Sequence, residues 1–119
     1  MAKFNQLKQQ VVNQVNAQTV NVVNFGSVQN KEELIVELQK LLTEVNKATK
    51  AGIIQEDVSV DIESHIKKAV IEAEKPEPKK ESILDHIDGA KSLLEGIASA
   101  AGLVTALIQA AKIVGNLFL

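Results

Sequence analysis

Charge divides this chain into three zones, and that division limits the fold more than any single motif does. Residues 1–30 hold two charged residues, Lys3 and Lys8; residues 31–91 hold 24; residues 92–119 hold only Glu95 and Lys112. Long charged segments stay ordered in water only if apolar residues recur on one face. The middle zone has that recurrence. Leu34, Leu38, Leu41, Val45 and Ala48 step by four, three, four and three, and Ile35 and Leu42 widen the stripe. This spacing predicts an amphipathic helix over 31–50. Asn30 followed by Glu33 has capping-box spacing at its start, and Gly52 supplies a stop.

A second helix is expected from Asp57 or Ser59, with Val58, Ile62, Ile66, Ala69 and Ala73 on one face. The run "KPEPKKE", residues 75–81, then breaks the pattern. Two prolines among alternating charges give an exposed linker. With a short Gly turn between them, the first two helices read as an antiparallel hairpin. Ser82 with Asp85 has capping spacing for a third helix, expected to run to about Asn116 despite Gly89, Gly96 and Gly102. The expected fold class is mainly α: a helical hairpin plus a long Ala/Gly-rich C-terminal helix, with a short N-terminal β-prone segment. Residues 31–119 form the helical domain, and residues 1–30 a separate Asn/Gln/Val-rich segment.

That N-terminal segment carries twelve Asn or Gln and repeats Val-Asn pairs. Phe4, Leu7, Val11 and Val15 share a helical face, so residues 2–16 are read as helix. From Gln18 to Phe25 the chain is β-branched, uncharged and free of Pro and Gly, which suits a strand. An isolated strand cannot satisfy its own backbone. The expectation is an intermolecular β-element built on Val20, Val22, Val23 and Phe25.

The third zone contains "GIASAAGLVTALIQAA", Gly96 to Ala111, without a charge. With the residues that follow it is long enough to cross a bilayer. However, Asp88, Ser92, Glu95, Ser99, Gly102, Ala106, Gln109, Lys112 and Asn116 step by three or four and form a continuous polar-or-small stripe. Opposite it lie Leu93, Leu103, Leu107, Val114 and Leu117, and beside that row Ile97, Val104, Ile108 and Phe118. A packing helix fits this pattern better than a lipid-embedded span. The apolar face is wider than two short helices can cover, so Ile97, Leu103, Val104, Leu107, Ile108, Val114 and Phe118 are expected to serve self-association.

Chemistry finds little support. The chain has no Cys, Trp, Tyr or Arg, and a net charge of −2. These features weigh against thiolate chemistry, base stacking and bidentate phosphate recognition, so nucleic acid is not an expected partner. His65 lies four residues after Asp61, and His86 sits between Asp85 and Asp88. Both groupings read as ordinary helix surface or helix-terminus electrostatics, not as metal sites. No phosphate loop or nucleophile elbow occurs. The expectation is no enzyme activity, no cofactor and no metal. Lys3 and Lys8 precede no continuous apolar run, so a secretory leader is not expected and a cytoplasmic location is the default.

Two stretches carry a resemblance: "NVVNFGSVQNKEELIVELQKLL" and "AEKPEPKKESILDHIDGAKSLLEGIASAAGLVTALIQAA". An Asn/Val-rich lead before a charged helix, and a proline linker before an Ala/Gly-rich helix, resemble small helical effector-associated and adaptor modules of bacterial, especially cyanobacterial, conflict and signalling systems. The resemblance spans about residues 20–115 and brings no functional residue with it. It implies recruitment or clustering of effectors by like-with-like contacts. The partners so expected are the chain itself and an effector protein. Pore-forming helical domains of related systems keep a membrane-acting reading as the alternative.

Overall fold

The computed structural model describes residues 23–118. Among the described residues four α-helices follow one another: α1 (Lys31–Lys50), α2 (Glu56–Glu74), α3 (Lys80–Glu95) and α4 (Ala101–Leu117). Single 3-10 turns precede α1 (Phe25–Ser27) and α4 (Ala98–Ala100), and no strand occurs among the described residues. The connections 51–55, 75–79 and 96–100 are short, and α1 packs on α2, α2 on α3, α3 on α4, and α4 back on α1. Short connections force neighbouring helices to double back, which gives a four-helix bundle.

The ends of α1 follow the local chemistry. The Asn30 side chain accepts the Glu33 N–H at 2.8 Å. The return bond of the capping box reaches one residue further out than expected: Glu33 Oε1 accepts the Gln29 N–H at 2.8 Å. At the other end Gly52 takes φ 84°, the Ile53 N–H donates to Ala48 O (2.9 Å), and the Gly52 N–H donates to Thr49 O (3.1 Å). This paired closure is the Schellman motif, and its left-handed residue favours glycine. Thr49 Oγ1 also lies 2.7 Å from the buried Ser59 hydroxyl, which donates to Glu63 Oε2 at 3.1 Å. Ser59 therefore joins α1 to α2 and does not begin a helix.

The proline linker is shorter than 75–81. Lys75 takes the extended backbone that a following proline requires, and α3 starts already at Lys80. Ser82 does not cap α3, because the helix has begun two residues earlier; its hydroxyl instead approaches Glu72 Oε1 at 3.4 Å. Glu72 holds the linker down. It accepts the Lys79 N–H (3.0 Å) and the Lys75 ammonium (3.0 Å). These donors, the Lys79 N–H foremost and then Lys75, keep the Glu72 carboxyl below its ordinary pKa, against the opposing pull of desolvation.

The expected single helix from Ser82 to Asn116 is two helices. The chain leaves the helical basin at Ile97 (φ −113°, ψ 103°), turns through Ala98–Ala100, and α4 folds back onto α3. Breaking a helix forfeits roughly four backbone hydrogen bonds at ~0.5–1.5 kcal/mol each. The fold-back buries Leu103, Ala106, Leu107, Ala110 and Val114. Full burial of a Leu or Val contributes ~1.5–3 kcal/mol, so three such side chains outweigh the lost bonds, which water partly replaces.

The β-element expected over 18–25 needs correction at its described end, residues 23–25. Val20 and Val22 lie outside the described residues. Val23 and Phe25 do not form a strand: Phe25 opens a 3-10 turn, and both side chains are buried in this chain's own core with Val28. The Phe25 turn packs against α4. The Asn24 N–H donates to Glu37 Oε1 at 2.8 Å, so this backbone donor is satisfied within the chain.

Candidate interaction surface

α4 sorts the residues expected to mediate self-association. Leu103, Leu107 and Val114 point into the bundle and are buried; Leu107 is fully enclosed. Val23 and Phe25 are likewise interior. These five residues hold the protomer together, so none of them offers surface in this conformation. Ile97, Val104 and Phe118 are half-buried at the edge of the core. Ile108 is 42% exposed. Sequence periodicity placed Leu107 and Ile108 in adjacent rows of one apolar face; the packing of α3 divides those rows into inside and outside.

The outside row is longer than the sequence reading recognised. Ala101, Val104, Ile108, Ala111 and Gly115 step by three, four, three and four along α4, and none of them is fully buried. That is the spacing of a helix–helix seam. Its small residues allow close approach. Beyond its own stretch of helix, no atom lies within 4 Å of where a Gly115 Cβ would be. Between α3 and α4 the row borders a shallow cleft of about 220 Å3, floored by Ile87 and Leu107 and walled by Leu84, Ile108 and Ala111. Asp88, Lys91 and Lys112 stand at its rim. Lys91 lies 3.5 Å from Asp88 and 3.9 Å from Glu95, both on α3. Exposed pairs of this kind contribute little to stability and set a polar border around the apolar strip.

Other surfaces are less suited to binding an apolar partner. A groove of about 480 Å3 beside the start of α1 is walled by Glu32, Glu33 and Glu37, with Val36 as its exposed apolar residue. A dish of about 390 Å3 on α2 contains Val60 among Glu63, Ser64, Lys67 and Lys68. Ile71 is exposed further along the same helix. Apolar residues exposed singly among charges are common on soluble proteins.

Two histidines meet where the sequence suggested two unrelated ones. His65 on α2 and His86 on α3 have ring centroids 6.1 Å apart, tilted by 42°. His65 enters the α2–α3 interface because residue 89 is glycine. A Cβ there would sit 2.7 Å from His65 Cε1 and 2.9 Å from Nδ1. The Nδ1 atom is buried without a hydrogen-bond partner. Among the described residues no group of three or more His, Asp or Glu is placed to hold a metal ion. The signal that could have found this contact was the glycine itself, inside an otherwise good helix and opposite a bulky ring.

One further property of α4 bears on its surroundings. Residues 98–117 have a mean hydropathy of 1.5, enough in length and composition to cross a membrane, and one third of the most apolar window is buried in the bundle. No protein-family model matches the sequence, and no curated protein or solved structure matches it.

Proposed function

We propose that this chain is a non-enzymatic interaction module that self-associates and serves as a scaffold or adaptor. Bacterial signalling or defence is the setting that the resemblance suggests. The observation that carries the reading is the seam on α4: Val104, Ile108 and Ala111 form an apolar row beside the Leu84 cleft, bordered by charge. A second helix laid along this row would bury Ile108 and meet small residues on either side. The expected partners are a second copy of the chain and, through it, an effector. A cytoplasmic location goes with this reading.

Light scattering over a range of protein concentrations tests it. The mass should rise with concentration, and Ile108→Lys should hold it at the monomer while the helical circular dichroism signal is unchanged. Leu107→Lys should behave differently. It removes a fully buried Leu and places an unpaired ammonium in the core, a loss of more than about 3 kcal/mol that should unfold a marginal bundle. A wild-type protein that stays monomeric at all concentrations would refute self-association.

The hydropathy of α4 favours a second reading, a membrane-acting helical protein. Against it stand the five buried residues of α4, which would have to leave the bundle before meeting lipid. Dye release from neutral liposomes at sub-micromolar protein, lost on removal of residues 96–119, would decide for the membrane.

A further inference from the structure

The corner between α3 and α4 joins a sequence pattern and a backbone geometry that point in opposite directions. The polar stripe Asp88, Ser92, Glu95, Ser99, Gly102, Ala106, Gln109, Lys112 and Asn116 keeps helical spacing straight through the corner. In the fold the chain turns there, at Ile97 and again at Ala100, whose φ of −102° and ψ of 19° also lie outside the helical basin. Gly96 (φ −78°, ψ −3°) and Ala101 (φ −57°, ψ −33°) are in the right-handed helical region, while Ile97 is extended. No side chain caps the turn or the start of α4. Gly96, Ala98, Ser99 and Ala101 are exposed, and the corner is anchored by the buried Ala100 and the half-buried Ile97. Three alanines in this stretch favour helix.

We infer that the corner is a hinge for arm exchange: α3 and α4 straighten into one helix, and α4 docks into the bundle of a second copy. This rests on the self-association proposed above and joins the two copies through the inner row of α4 in place of its outer seam. Rotation at Ile97, with adjustment of the 3-10 turn, restores the i to i−4 bonds that the corner lacks. Leu103, Leu107 and Val114 leave their own bundle and occupy the same positions in the partner's. The buried contacts are therefore the same in the closed monomer and the exchanged dimer, which is why exchange of an element is a low-cost route to dimers. The second copy is the only partner chemistry that matches this row by construction.

A proline separates the two states. Ala98→Pro suits the closed corner, because Ala98 is the first residue of the 3-10 turn, a position that tolerates proline, and Ile97 already has the extended backbone that precedes a proline. In the straight helix the same proline removes a bond and clashes with the preceding turn. It should weaken formation of the exchanged dimer by about a hundredfold or more. Because the chain has no cysteine, Glu81→Cys and Asn116→Cys can carry spin labels at two exposed sites. Labelled chains diluted into unlabelled protein report the distance within one chain. The closed hairpin keeps the two sites near one another; a straight helix sets them about 52 Å apart, 35 residues at 1.5 Å each. The expected result is a long-distance population in the dimer fraction that disappears with Ala98→Pro. A dimer showing only the short distance would overturn arm exchange and leave surface association standing. A chain that is monomeric throughout would overturn both.

Discussion

Replacing Gly89 with alanine tests how closely α2 and α3 approach. The substitution has two opposing effects. Alanine is favoured over glycine within a helix by up to ~1 kcal/mol. The new methyl, however, would lie 2.7 Å from His65 Cε1, 2.9 Å from Nδ1 and 3.0 Å from Nε2, closer than any contact atoms tolerate. Overpacking of this kind costs ~1–3 kcal/mol. The ring can escape toward solvent, which returns the unpartnered Nδ1 to water and limits the cost. The expected net effect is a loss of ~1 kcal/mol, or a fall in Tm of about 4–8 °C for a domain of this size. A double-mutant cycle removes the ambiguity. With His65→Ala in place the methyl meets no ring, so Gly89→Ala should stabilise, and the coupling between the two sites should be ~1–2 kcal/mol. Gly115→Ala is the control, measured at concentrations where the chain is monomeric, because beyond its own helix nothing lies within 4 Å of its Cβ position; it should stabilise in both backgrounds. Urea denaturation monitored by circular dichroism supplies the free energies. If Gly89→Ala stabilised the wild-type protein as much as Gly115→Ala does, the close approach would be refuted.

Two further substitutions probe the connections. The Glu72 carboxyl is held below its ordinary pKa by the Lys79 N–H and Lys75, so the folded state binds this proton less readily than the unfolded chain. Its contribution is present above the unfolded value of about 4.3 and is lost as pH falls through the lower folded value. Glu72→Gln should flatten this part of the acid limb of a Tm-against-pH curve; an unchanged limb would show that Glu72 does not secure the linker. Gly52→Ala should destabilise by ~1 kcal/mol, because its φ of 84° is strained for alanine although no atom crowds the site. A neutral result in thermal melts would mean that the α1–α2 turn has another conformation in solution.

Most of the secondary structure follows from signals local to the chain. Leu34, Leu38, Leu41 and Val45 define the inner face of α1 by spacing alone, Asn30 and Gly52 mark its ends through backbone chemistry, and Pro76 stops α2. Each of these signals acts within a few residues, so a sequence reader can see it. The tertiary structure decided the rest. Spacing made Leu107 and Ile108 neighbours on one broad face, but only the packing of α3 against α4 left one fully enclosed and the other half-exposed. Val23 and Phe25 have strand-like composition, yet the hollow between α1 and α4 and the Glu37 carboxylate draw them into a turn and a buried plug. The corner at Ile97 is the plainest case. The helical spacing of polar and apolar residues runs through it, weakened only by Gly96, and the turn exists because burying Leu103, Leu107 and Val114 contributes more than the helical hydrogen bonds lost there. That comparison involves surfaces distant in sequence, which periodicity within a single helix does not encode.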